Sequence, residues 1–262
     1  MTSRDFEALL SEGLALDVEA YWGAGFLDGR YVPGELSWQW PDVVRPYLRD
    51  AARLLDMGTG DGRALASLAP LPAFVVAYEE WRPTRAAAAE TLHPYRVHVV
   101  ACLGSDDNTT VTRTRPLLPF CDAAFDIVVN RHEAFDAEDV QRLLITGGSF
   151  VTQQVGGDEV DSVRELLGLS PPAGPTWNVD IAGAQLASAG FTVQQLAEER
   201  VVSRFHDIAA LVGYVRSTPW AVPEFHPVSM RRRLEELHER CGGAGSVDMV
   251  AHRFWLAARA LD

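Results

Sequence analysis

Arg53-Leu54-Leu55-Asp56-Met57-Gly58-Thr59-Gly60-Asp61-Gly62 runs from an apolar, strand-like segment into three glycines at alternate positions, and 63–68 then reads as a helix. Glycine lacks Cβ, so a backbone rich in it turns tightly and lets a ligand approach closely. N–H groups at a helix start then face a carboxylate or phosphate. An anionic, nucleoside-like ligand is therefore expected at this turn. The dinucleotide fingerprint requires a third glycine where Arg63 stands, which disfavours a nicotinamide cofactor.

Working outward, Phe74-Val75-Val76-Ala77-Tyr78-Glu79 reads as the next strand and ends in an acid about twenty residues beyond the turn. A carboxylate placed there accepts both hydroxyls of a ribose. Glu80 competes for that role, and the strand phase favours Glu79. Further strands are expected at 96–101, 125–130, 149–154, 191–196 and 252–258, with helical windows at 82–92, 137–144, 160–167, 179–189, 208–217 and 229–240. Strands alternating with helices predict an α/β fold, a doubly wound, mostly parallel seven-stranded sheet. Residues 1–50 are expected as an N-terminal helical cap or lid and 51–262 as the α/β domain, with 200–245 as a helical insertion before the last strand. The breakers at 171–175 and 241–245 are expected as loops.

The 262 residues carry a formal net charge of −13. Nucleic-acid binding relies on basic surface that neutralises phosphates, so this balance favours a small-molecule substrate over RNA or DNA. Three scattered cysteines without a CxxC pair give no zinc signature, and no metal is expected. Met1 is followed by polar residues and no segment approaches the ~20 apolar residues of a membrane span, so no membrane association and a cytoplasmic location are expected.

The strand, the acid Asp56 and the DxGxGxG turn resemble the first motif of class I S-adenosylmethionine-dependent methyltransferases. Leu118-Pro119-Phe120-Cys121-Asp122-Ala123-Ala124-Phe125-Asp126 resembles a stretch of the ubiquinone-biosynthesis type within that family. Leu144-Ile145-Thr146-Gly147-Gly148-Ser149-Phe150 is similar to its L-x-P-G-G-x-F turn, with Thr146 in place of proline, and Ala189-Gly190-Phe191 follows in order. These matches span roughly residues 50 to 200. Gly29-Arg30, Trp38 and Thr218-Pro219-Trp220 are distantly similar to the ribosomal-RNA guanine-N1 methyltransferases, whose zinc-binding cysteine cluster is absent here. The resemblance implies S-adenosyl-L-methionine as cofactor, held by Asp56, Gly58, Thr59, Gly60, Gly62 and Glu79, with Arg30 and Trp38 as further donor-site candidates. It also places an acid near the adenine, Asp106 or Asp107; a turn built by Ser105-Asp106-Asp107-Asn108-Thr109 is the equal alternative.

Open α/β sheets bind ligands beyond the carboxyl ends of their strands, which directs Asn130-Arg131-His132-Glu133 toward the reaction site. His132 is the candidate general base with Glu133 orienting it, against the alternative that His132 only packs or hydrogen-bonds. Asn130 and Arg131 are expected to shape the donor pocket. Gln153 and Gln154 are either acceptor contacts or structural hydrogen-bonders, and the aromatic residues Tyr21, Trp22, Phe26, Tyr31, Trp38 and Trp40 are either a lid or core. The functional expectation is methyl transfer to a small molecule. The alternatives are an RNA base methyltransferase and a non-catalytic S-adenosylmethionine-binding protein.

Overall fold

The structure, a computed structural model, describes residues 5–18, 25–108 and 115–261. Tyr21 and Trp22 lie outside the described residues. The chain forms two compact units, one of residues 1–36, 156–176 and 200–252, the other of 37–155, 177–199 and 253–262.

The second unit carries the glycine turn. Strands β2 (Arg53–Met57), β3 (Phe74–Tyr78), β4 (His98–Val100), β5 (Phe125–Arg131) and β6 (Leu144–Val155) pair in parallel, in the order β4-β3-β2-β5-β6. Leu54, Leu55 and Ile127 to Val129 are fully buried, because helices cover both faces and each strand must be apolar on both sides. One face packs on α2 (Trp40–Leu48), α3 (Arg63–Ala66) and α4 (Arg82–Leu92) through Val44, Leu65 and Leu92. The other packs on α5 (Ala137–Leu143) and α7 (Val179–Ser188) through Val140, Leu143 and Leu186. Asp136 and Asn178 start these last two helices by accepting hydrogen bonds from N–H groups of the first turn, each worth about 1 kcal/mol.

The first unit packs α1 (Phe6–Ala15), α6 (Gly157–Leu166), α8 (Ile208–Ser217) and α9 (Arg231–Ala244) around Leu10, Val163, Val212 and Leu237. Two long strands, β7 (Phe191–Phe205) and β8 (Val247–Ala260), contribute residues to both units.

Three expectations are corrected. The sheet has eight strands among the described residues, not seven, because the two-residue β1 (Tyr31–Val32) pairs antiparallel with the end of β7; β8 runs antiparallel to β6. Gly147 and Gly148 form no turn before a strand but a bulge within β6, where Leu144 pairs with Phe125 and Ser149 with Ile127. At 241–245 the helix α9 runs on through Gly242 and Gly243, and Gly245 ends it at a φ of +83°. Of residues 1–50, α1 lies in the first unit and α2 in the second.

Candidate active site

In the parallel sheet the strand order reverses at β2, with β3 on one side and β5 on the other. The crevice at the carboxyl ends of these strands is where open α/β sheets take ligands. The turn Gly58–Gly62 follows β2 and Arg131–Glu133 end or follow β5, so topology alone brings the two sequence-predicted groups together.

All three glycines have positive φ, +61°, +60° and +82°, a region L-residues occupy at a cost of about 1–2 kcal/mol. Each meets different surroundings. A Cβ on Gly58 would stand 2.6 Å from Glu133 Oε2, and one on Gly62 would stand 2.7 Å from Leu92 Cγ and 3.3 Å from the Ala88 backbone. A Cβ on Gly60 would meet nothing within 4 Å. Gly58 thus allows close approach of the β5 loop, Gly62 allows α3 to pack on α4, and Gly60 opens onto space.

Behind the turn, Glu79 is buried and its carboxylate accepts from Gly60 N at 2.7 Å and Trp81 N at 2.8 Å. Each oxygen retains a lone pair for a further donor. Burial raises its pKa, opposed by those two backbone bonds. Asp56 is also buried, and loss of solvent pushes its carboxyl up to about 7 against the Thr59 hydroxyl. The helix start contributes less than expected. The α3 helix is a single turn, and the N–H groups of Thr59, Gly60, Gly62 and Arg63 are already bonded to Tyr78 O, Glu79, Thr59 O and Asp61. Fewer N–H groups are therefore left for an anion than the sequence suggests.

Arg131 supplies a candidate partner for that anion. It is exposed and makes no hydrogen bond or ion pair among the described residues. The surrounding protein lowers its pKa first, then the charge of Arg253; Asp56 and Asp61 oppose. His132 adopts a φ of +68°, and its N–H bonds Gln153 O at 2.8 Å. The Trp38 indole N–H donates to Gln153 Oε1 at 2.9 Å, and Gln153 Nε2 lies 3.0 Å from His132 Nε2. An indole nitrogen only donates, so the Gln153 oxygen must face Trp38 and its NH₂ must face His132. His132 Nε2 is then an acceptor and the ring proton resides on Nδ1. The surrounding protein also holds the His132 pKa well below the ordinary value, with Arg131 and Arg253 adding to the effect.

Glu133 does not orient His132; Gln153 does. The Glu133 side chain turns instead between Gly58 and Gly104, its Oε1 2.5 Å from the position of a Gly104 Cβ. Burial and the neighbouring Glu79 push its carboxyl up to about 8. Beyond Gly104 opens a cavity of about 800 Å³ lined by Asp106, Asn108, Asp136 and Gln185 among others. Asp106 is ion-paired to Arg115. Arg30 belongs to the first unit, where Glu12 and Asp207 hold its guanidinium in ion pairs of 2.7 Å. Asn130 is fully buried, its Oδ1 accepting from Gln154 and Thr152 while its amide nitrogen has no partner. Gln154 also bonds Glu133 O and accepts from Asn108, so its amide is spent on the scaffold.

No protein-family model matches the chain, and no curated protein does. Solved structures do match. A candidate methyltransferase from Bacillus halodurans aligns with 86% of this chain and 99% of its own at 16% identity and a TM-score of 0.56. The YcgJ protein from Bacillus subtilis aligns with 85% of this chain and 98% of its own at 12% identity and a TM-score of 0.55. The fold is that of class I methyltransferases. The [4+2]-cyclase SpnF shares it, at 19% identity over 97% of this chain and 93% of its own, with a TM-score of 0.50. This methyltransferase fold therefore does not fix the reaction, which has to be argued from the site.

Sequence reading did not consider Arg253, whose charge acts on Arg131 and His132. It sits midway along β8 and pairs with Val155 at the end of β6, which puts it at the carboxyl edge of the parallel strands. A charge directly before Phe254-Trp255-Leu256 was the available signal.

Proposed function

We propose that the chain is an S-adenosyl-L-methionine-dependent methyltransferase acting on a small molecule. The observation that carries this reading is Gly60: a positive-φ turn that opens onto space at the switch point of the sheet, with the Glu79 carboxylate directly behind it. A nucleoside fits there, its ribose hydroxyls donating to the free lone pairs of Glu79. Arg131 then meets the donor's carboxylate. The partnerless Asn130 amide serves as a further donor to the ligand, and Asp56 with Thr59 shapes the turn from below. Glu133 forms the floor between the turn and the cavity beside Gly104, where Asp106 lines the space for the base. The matches around Leu118–Phe150 favour kinship with the ubiquinone-biosynthesis type.

When bound, the donor supplies an electrophilic methyl group whose bond to sulfur breaks as the bond to the acceptor forms, the electron pair returning to sulfur. The chain's own work is alignment and exclusion of water, which in model systems yields effective molarities up to ~10⁵–10⁸ M. His132 is a hydrogen-bond donor in this mechanism rather than a base: Gln153 occupies Nε2, and a pKa held below the ordinary value leaves little affinity for a proton. The acceptor's proton leaves to solvent. Trp38 and Gln153 keep the ring in that orientation.

Mass spectrometry of the protein as purified under native conditions tests the reading. Co-bound S-adenosylmethionine or S-adenosylhomocysteine is expected in the wild type and absent from Glu79→Ala, where loss of charge-assisted bonds of about 1.5–3 kcal/mol weakens the donor roughly tenfold to a hundredfold. An unrelated nucleotide bound at the site would overturn it.

A further inference from the structure

Glu133 is placed with unusual care for a residue that bonds to nothing. Its side chain, just after β5, lies between the segments that follow β2 and β4, and both of its oxygens occupy space that side chains would otherwise fill. A Cβ on Gly58 would stand 2.6 Å from Oε2, and one on Gly104 would stand 2.5 Å from Oε1. Gly104 has no positive φ, so its missing side chain serves that space alone. Two separate strand ends thus carry a glycine to admit one carboxyl. Once admitted, that carboxyl makes no hydrogen bond or ion pair among the described residues.

The charges that face it are mostly of its own sign. Glu79 and Glu80, which follow β3, oppose its ionisation, and Arg115 favours it. Arg115 is already engaged: it pairs with Glu80 at 2.5 Å and with Asp106, and it donates to Gly104 O at 3.2 Å. From β3 the fully buried Tyr78 hydroxyl reaches within 3.0 Å of the same Gly104 position, and it too has no partner. Glu80, Cys102 and Asp56 are the other titratable groups acting on that hydroxyl, and none brings a positive charge. An ionised Glu133 would stand beside two carboxylates with nothing to satisfy it. The neutral acid suits the place, and its O–H still lacks an acceptor.

Glu133 also stands where the nucleoside is held. It lies between the turn, where Glu79 is set to take the ribose, and the cavity that opens at Gly104. The ring nitrogens N3 and N7 of an adenine are acceptors, and the base carries no charge to balance a carboxylate. Covering an ionised Glu133 with it would strip away water next to Glu79, whereas a neutral acid gains a partner for its proton.

We propose that the methyl donor binds only while Glu133 carries its proton, the carboxyl O–H donating to a ring nitrogen of the adenine. This rests on the methyltransferase reading and adds to it a control, since an alkaline shift empties the site.

The test is calorimetric titration with S-adenosylhomocysteine at pH 7 and pH 9, on the wild type and on Glu133→Gln, whose amide keeps the shape and an N–H donor without titrating. Wild-type affinity should fall about tenfold more between the two pH values than that of the variant, the change expected when a group titrating at about 8 must stay protonated. The comparison cancels the titration of the ligand's own amine and of Glu79 and Asp56. 5′-Deoxy-5′-methylthioadenosine, which has no group titrating in this range, should show the same fall with the wild type. Parallel profiles for wild type and Glu133→Gln, or a wild-type affinity that does not change with pH, would overturn the proposal; the wild-type measurement decides even if Glu133→Gln fails to fold. Failure of S-adenosylhomocysteine to bind at either pH would instead sink the methyltransferase reading, and the control with it.

Discussion

His132 occupies left-handed backbone space at φ +68°, a conformation costing a non-glycine residue about 1–3 kcal/mol. Its backbone N–H and its ring are both tied to Gln153, and Gln153 is tied to Trp38. The strain is thus maintained by a three-residue chain that also fixes a tautomer. Nitrogen NMR of the imidazole should show a neutral ring protonated at Nδ1 at neutral pH, titrating below an ordinary imidazole, and Trp38→Phe should let the Gln153 amide turn and the tautomers mix. A wild-type ring titrating near 6.5 would restore the general base. At this scale the turn and its neighbouring acid were legible in the sequence, because Asp56, the glycines and Glu79 are marked by local spacing and Glu79 does meet Gly60 N. The Trp38–Gln153–His132 chain was not: Trp38 and Gln153 are 115 positions apart, and no periodicity links an indole to an amide across a sheet.

Among the elements, the glycine turn shows how similar-looking residues do different work. Gly62→Ala would combine strained φ with a contact against Leu92 and the Ala88 backbone, separating α3 from α4. A loss of about 2–4 kcal/mol is expected, seen as a lower urea midpoint with an unchanged slope. Gly60→Ala carries only the φ penalty of about 1–2 kcal/mol, since its Cβ enters open space. Equal losses for the two would contradict the division of labour. The parallel core β2 to β6 was readable from short apolar runs bounded by breakers. The bulge at Gly147 and the passage of α9 through Gly242 and Gly243 were not, because glycine permits a turn without requiring one.

Across the whole molecule, two carboxyls are held neutral longer when folded than when unfolded: Asp56 up to about 7 and Glu133 up to about 8. Above their unfolded pKa values the folded state binds more protons, so stability falls as pH rises. The lowered His132 pKa acts in the opposite sense, but only below about 6.5, the pH at which an unfolded imidazole releases its proton. Between pH 6.5 and 8 the ligand-free protein should lose about 2 kcal/mol, a fall in Tm of about 4–8 °C, and Glu133→Gln should remove most of it. A Tm that climbs over this window would show that these carboxyls are ionised in the folded state. The low sequence pI gave no warning of this behaviour, since it counts acids and ignores which of them are buried.

The turn at Gly60 remains the point on which the functional account depends, and calorimetric titration with S-adenosylhomocysteine examines it directly. The wild type should bind one equivalent with micromolar affinity or better, and Gly60→Val, folded by circular dichroism, should show no heat of binding because its side chain fills the only bare position of the turn. Equal affinity in both proteins would mean that the donor, if it binds at all, does not rest on this turn.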